Sequence, residues 1–239
     1  MNISGLLLAI AVIHAVPNNG LTVKIEGELS GVALTIKSSE IPDTVRVVGA
    51  DMSKRLVGNK LIAYVRFSSL VIIPKSFRTP IEITVNPKFP VELELDMINS
   101  ELHIEGRRLK IKSLDISLKS GQIRANFYGV RPITKSEVKL FTNFATVILD
   151  HLEQLDFDEL QVSSELSKFR FSFNGFISDW RKIMFNGSFN SIQVEMPSGM
   201  SFIVKDRGFI NMVAHPPDGR ISFKLVLGGL LNRLKVKTI

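Results

Sequence analysis

Val138-Lys139-Leu140-Phe141-Thr142-Asn143-Phe144-Ala145-Thr146-Val147-Ile148-Leu149 is the stretch whose reading decides the fold. Counted from Val138, apolar or small residues stand at offsets 0, 2, 4, 6, 9 and 11. The first four keep the period of two that sends side chains to one face of a strand. The step from 6 to 9 is odd, and it would turn inside residues outward unless the chain bends. A corner is therefore expected at offsets 7 and 8, here Ala145-Thr146.

The stencil recurs 22 residues later as Leu160, Val162, Ser164, Leu166, Phe169 and Phe171. It recurs 23 further on as Ile183, Phe185, Gly187, Phe189, Ile192 and Val194. Earlier copies start at Val23, Leu61 and Leu114, with Ser30-Gly31, Ser68-Ser69 and Gly121-Gln122 at the corner. These are small or polar residues that tolerate turns and bulges. Two copies read as imperfect. Val91, Leu93, Leu95 and Met97 need extra residues before Leu102, and a last copy from Ile221 loses register at Gly228-Gly229. A steady period of this length predicts an all-β fold, a β-solenoid with coils of about 22–24 residues. The large residues at offset 6, Phe67, Phe144 and Phe189, are expected inside, stacked as an aromatic ladder. Between copies, Asp150 to Asp158 reads as one helical turn or an irregular strand. Ser172 to Lys182, with Phe173, Phe176, Ile177 and Trp180, reads as a cover over the core.

The chain has 239 residues, 45% hydrophobic and 22% charged, enough to bury a continuous core. Residues 17–239 are expected to form one domain, with an irregular part at 17–90 that includes Pro74, Pro80, Pro87 and Pro90. Its net charge of +7, 30 basic against 23 acidic residues, favours anionic surfaces such as envelope polymers or lipid head groups. There is no cysteine, which excludes disulfides, thiolate catalysis and cysteine-rich metal sites. Ile3 to Val16 is nearly all apolar but too short to span a bilayer as a helix. Residues 1–16 are read as a secretory signal with cleavage near Ala15. No Lys or Arg precedes the apolar run, so a buried first element is the competing reading.

Pro90-Val-Glu-Leu-Glu-Leu-Asp96, Ser113-Leu-Asp-Ile-Ser-Leu-Lys-Ser-Gly-Gln-Ile123 and the run from Ser191 to Val204 carry a further resemblance. They resemble the bacterial putative-adhesin family with the toastrack fold, related to the C-terminal domain of LiaF-type envelope-stress proteins. The resemblance covers roughly residues 20–239. It implies a single-stranded right-handed β-solenoid used for envelope scaffolding, adhesion or signalling, with no catalytic residues to carry over.

The search for chemistry is short. Glu92, Glu94 and Asp96 share one strand face, where they could bind calcium or act as acid and base, but Lys110, Lys112, Lys119 and Arg124 follow in the next coil. Cross-strand ion pairing is the plainer reading. His14, His103, His151 and His215 show no metal-ligand spacing, and no nucleophile elbow, P-loop or dinucleotide motif occurs. The densest basic run, Arg107, Arg108, Lys110 and Lys112, is the candidate polyanion-binding stripe. Nucleic acid would call for exposed aromatics beside the cations, and most Phe sit at offsets read as inward.

The expectation is a non-enzymatic, exported, envelope-associated scaffold, adhesion or interaction module with no cofactor and no metal. Its expected partners are an envelope protein or an anionic envelope polymer, with peripheral membrane contact and edge-to-edge self-association as further modes, and no specific nucleic acid. The alternatives are a β-helical enzyme acting on acidic polysaccharide, an amphiphile carrier with a hollow interior, and a cytoplasmic location.

Overall fold

A computed structural model describes residues 20–68, 78–133, 135–175, 177, 181–198, 200–207, 212–214 and 220–239. The expected signal at 1–16, Leu70 and Ile72 of the second copy, Phe176, Trp180 and His215 lie outside the described residues. The described chain is all β apart from one 3-10 turn. Its strands are β1 (Thr22–Ser30), β2 (Val32–Ser38), β3 (Val45–Val48), β4 (Asp51–Val57), β5 (Lys60–Phe67), β6 (Thr79–Val85), β7 (Pro90–Glu105) and β8 (Lys110–Asn126). They continue as β9 (Glu137–Asp150), β10 (Glu159–Glu165), β11 (Lys168–Ser172), β12 (Arg181–Ser188) and β13 (Ser191–Met196). The last are β14 (Met200–Asp206), β15 (Met212–Ala214), β16 (Arg220–Leu227) and β17 (Arg233–Thr238). All belong to one open 17-stranded sheet.

The sheet is a stack of rungs, each a strand, a corner and a second strand. In β7, β8 and β9 the strand runs through the corner, whereas in β1–β2, β10–β11 and β12–β13 the corner divides it. Neighbouring rungs pair in parallel. Ile25, Leu93, Leu114, Val138, Leu160, Ile183 and Leu225 form one inner column. Across the core, Leu34, Leu102, Ile123, Val147, Phe169, Ile192 and Leu234 form its counterpart. Every residue of both columns is buried. Each such aliphatic side chain contributes about 1.5–3 kcal/mol when fully withdrawn from water, so the columns are a large share of what holds the rungs together.

The register corrects two readings of the sequence. Val91 pairs with Val23 and Leu102 with Leu34, so this copy needs no extra residues. Ser100, fully buried, fills the place that looked vacant. The last copy of the stencil starts at Leu225, not Ile221: Leu225 pairs with Ile183 and Leu234 with Ile192, so its spacing is regular. The copies at Val23 and Leu61 also sit two residues out of phase with the later ones, because Ile25, not Val23, shares a column with Leu114.

The order of rungs departs from chain order at both ends. β1–β2 lies between β5–β6 and β7. β16–β17 lies between β12–β13 and β14–β15. The outer rung β5–β6 is covered by two antiparallel strands, β4 on β5 and β3 on β6. Covering an edge in this way removes a template for pairing with other chains.

The return segment after β9 forms a 3-10 turn at Leu152–Gln154, as one of its two sequence readings has it. Arg181, buried at the start of β12, donates through Nη1 to the carbonyls of Leu152 (3.0 Å) and Leu155 (2.8 Å) and lies over the Phe157 ring. Phe173 and Ile177 are buried and close the core above it.

Candidate functional site

The corner is where this sheet carries information beyond packing. In every rung from β1–β2 to β16–β17 one corner residue takes a left-handed backbone: Gly31, Asn99, Ser120, Phe144, Leu166, Phe189 and Leu231, with φ between 48° and 71°. They stack in one column, since Phe144 lies between Lys119↔Asn143 and Gly121↔Ala145 pairings and its neighbours follow the same register. A single left-handed residue reverses the alternation. The residue itself turns outward and the one after it turns in.

This overturns the expected aromatic ladder. Phe144 and Phe189 point to solvent, 65% and 51% exposed, together with Leu166 (51%) and Leu231 (43%). The ring cluster inside is instead Phe169, Phe171 and Phe185, with centroids 5.1–5.9 Å apart. The corner starts one residue earlier than the sequence spacing implied, at offset 6 of the later copies.

The next residue inward is Val32, Ser100, Gly121, Ala145, Ser167, Asn190 and Asn232 in successive rungs. Several of these side chains satisfy the amide that the corner frees in the neighbouring rung. Val32 N donates to Ser100 Oγ (3.3 Å), Ala145 N to Ser167 Oγ (3.1 Å), Ser167 N to Asn190 Oδ1 (3.0 Å) and Asn190 N to Asn232 Oδ1 (3.1 Å). Asn190 Nδ2 donates to Ser164 O and to Asn232 Oδ1, and Ser164 Oγ, which accepts from Thr142 Oγ1, donates to Asn190 Oδ1. Buried backbone donors have to be paired, and a short polar side chain one rung away does it here.

Beside the corner, on the outer face of the first strands, runs a groove of ≈ 640 Å³. It crosses β7 to β12, and Asp96, Ser117, Phe141, Ser163 and Asn186 stand along it, one from each rung. Phe141 is 47% exposed and has a serine on either side, so the ring stands between two low positions. Lys119, Asn143 and Glu165 form the side of the groove nearest the corner. With rungs about 4.8 Å apart, the groove presents hydroxyl, amide and carboxylate groups at a short, regular repeat around one aromatic ring.

The candidate basic run lies elsewhere, at the turn between β7 and β8. Leu109 N donates to Gly106 O across this turn, and Arg108 takes a left-handed conformation there. Arg107 and Arg108 are exposed, but Arg108 reaches Glu40 at 3.3 Å. Lys110 Nζ donates to the Lys88 carbonyl (2.9 Å), and Lys112 Nζ to Glu92 Oε1 (2.7 Å). The four are near one another along the chain, and the structure gives three of them partners of their own.

The candidate acids are also engaged. Glu92 lies between Lys112 and Lys60, at 2.7 and 2.6 Å. Burial works against its carboxylate, and the two ammonium groups overcome that and hold its pKa below the usual value. Lys24 bridges Glu26 and Glu94, both at 2.6 Å; burial opposes its charge, and the two carboxylates raise its pKa nonetheless. Asp115, paired in register with Glu94, has its pKa raised by burial and by the nearby Glu94 and Glu137 carboxylates, against the pull of Lys139. Asp96 alone of the three candidate acids lines the groove. Among the described residues no cluster of three or more metal-ligating side chains occurs. Nor is any helix among them long and apolar enough to cross a membrane.

No protein-family model matches the sequence, and no curated protein matches it. Among solved structures, the chain is similar to a "putative cell adhesion protein" from Clostridium sporogenes, at 12% identity and a TM-score of 0.42, over 94% of this chain and 96% of that one. It is also similar to a "putative adhesin" from Bacteroides fragilis, at 12% identity and a TM-score of 0.41, over 91% and 92%. At that identity and score the likeness carries neither family nor function across.

Proposed function

We propose that this chain is a non-enzymatic adhesion or interaction module of the cell envelope. In this reading it is an exported single domain wound as a right-handed, single-stranded β-solenoid of the toastrack type. The observation that carries the function is the groove across β7–β12. Its serines, asparagines and carboxylates repeat rung by rung around the exposed Phe141 ring. An extended polymer with hydroxyl and amide groups, such as an envelope glycan, fits those donors and acceptors, with one sugar face laid on the ring.

The interior favours surface work over carriage. The inner columns are filled by buried Leu, Ile, Val and Phe that pack as one continuous core. The acids support binding better than turnover, since Glu92 and Glu94 are held by lysines. Arg107 and Arg108, exposed at the β7–β8 turn, are a subsidiary contact for acidic polymer; Lys110 and Lys112 hold that turn and strand in place.

Co-sedimentation of the purified protein with insoluble envelope polysaccharide tests the reading. The protein is expected to pellet with the polymer, and Phe141→Ala with Asn143→Ala to weaken binding about tenfold, in line with one lost stacking contact and one lost hydrogen bond. Absence of polymer binding, or release of new reducing ends from the polymer, would overturn it.

A further inference from the structure

The corner column sets a test of what its outer residues are for. These seven rungs need one left-handed residue there; Gly31 and Asn99 meet that need with residue types that adopt it readily, and Ser120 with a small polar one. Phe144, Leu166, Phe189 and Leu231 meet the same need with bulky apolar side chains, which the left-handed region disfavours. They are also 43–65% exposed, so neither backbone conformation nor burial accounts for them. They stand in four successive rungs and form a convex apolar ridge roughly 14 Å long at the usual strand spacing.

Charge is arranged to one side of the ridge. Lys168 and Arg233 follow Leu166 and Leu231 by two residues and face outward on the second strands, with Lys235 and Lys237 beyond Arg233. These four cations form no ion pair among the described residues. Glu165 lies on the opposite side, in the groove.

We infer that this ridge and its cations dock the protein on an anionic lipid surface. The apolar side chains enter the boundary between head groups and acyl chains, and the cations meet lipid phosphates. A second copy of the chain fits less well. The exposed parts of four side chains amount to on the order of 400 Å² per copy at 150–250 Å² for a whole large side chain, short of the roughly 600 Å² per partner at the lower end of stable interfaces. A two-fold contact with the ridges antiparallel would also bring like charges together.

Flotation with phosphatidylcholine vesicles, with and without phosphatidylglycerol, tests the inference at low salt. The protein is expected to float with the anionic vesicles and to be released as salt rises. Phe144→Asn and Phe189→Asn are each expected to lower partitioning on the order of tenfold, with melting temperatures no lower than the parent's, because Asn accepts the left-handed conformation. Lys168→Gln with Arg233→Gln, which removes no packing, is expected to lower partitioning about fivefold per charge. Failure of the parent to float with anionic vesicles would overturn the proposal. So would equal flotation of parent and Asn variants, or a parent dimer in sedimentation velocity that the Asn variants abolish. Groove variants such as Asn143→Ala are expected to float normally, which separates this surface from the polymer site.

Discussion

The two halves of the corner are built in opposite senses. From β1–β2 to β8 the outer corner residues are Gly31, Asn99 and Ser120, while the inner residues just before the corner are Leu29, Met97 and Leu118, all buried. From β9 to β16–β17 the outer residues are Phe144, Leu166, Phe189 and Leu231. The inner ones just before the corner are Thr142, Ser164, Gly187 and Gly229, followed by Ala145, Ser167, Asn190 and Asn232. The first half is oily inside and polar outside, the usual order; the second half places hydrogen bonds inside and oil outside. One backbone geometry supports both. The difference therefore lies in what each half does at its surface and in how each half secures its freed amides.

The comparison predicts that the second half depends on its polar interior more than the first does. Asn190→Leu strips partners from Ser167 N, Ser164 O, Ser164 Oγ and Asn232. With buried groups left unpaired at about 1–3 kcal/mol each, it is expected to cost on the order of 4 kcal/mol in chemical denaturation. Ser100→Ala leaves Val32 N without its partner, while Ile98 O, which loses the Ser100 hydroxyl, keeps the Gly31 amide, so it is expected to cost about 1 kcal/mol. Equal costs would erase the distinction.

Next in size is Gly187→Ala. Gly187 has φ 138°, and an added Cβ would lie 1.7 Å from Ser164 O, so the rungs must separate locally. A loss of about 3 kcal/mol is expected, read from the denaturation midpoint. A smaller effect has the opposite sign. Phe144→Gly relieves a bulky residue of its left-handed strain and is expected to stabilise the fold by up to about 1 kcal/mol, whereas Asn99→Phe at the same column position is expected to destabilise it by a similar amount. If Phe144→Gly instead unfolds the protein, the ridge is structural.

The smallest effect concerns pH and the face away from the corner. The Glu92 pKa is lowered in the folded state, so its contribution is present above the unfolded value and is lost as pH falls through the folded one. Glu92→Gln is expected to lower the melting temperature at neutral pH and to flatten the acid limb of the stability curve. Asp115, with a raised pKa, works in reverse: its ionisation weakens the fold as pH rises from the unfolded to the folded value. Asp115→Asn should remove that decline.

Strand alternation made the inner columns legible from sequence, because residues such as Val138, Leu160 and Ile183 alternate wherever the strand is regular. The corner was not legible for a physical reason. Periodicity reports which side a residue faces only while the backbone stays extended, and a Phe in the left-handed region goes against its residue preference. Ser167 and Asn190, at offset 7 of the copies from Leu160 and Ile183, fit the expected corner because the types that favour turns are also the types that bond to backbone. The groove was hidden in a different way: its members come from five separate rungs and share no stretch of chain. The basic run from Arg107 to Lys112 was legible as charge, but Glu92 and the Lys88 carbonyl that engage its lysines lie about twenty residues away. The rung order at the ends rests on pairings between distant segments, β1 with β7 and β12 with β16, which no local pattern encodes.

Because β1 is held between β5 and β7, a pull on the chain ahead of Thr22 cannot peel an outermost strand away bond by bond. It has to shear two ladders at once, along their length. A molecule tethered ahead of β1 would therefore resist tension far better than one held by an edge strand.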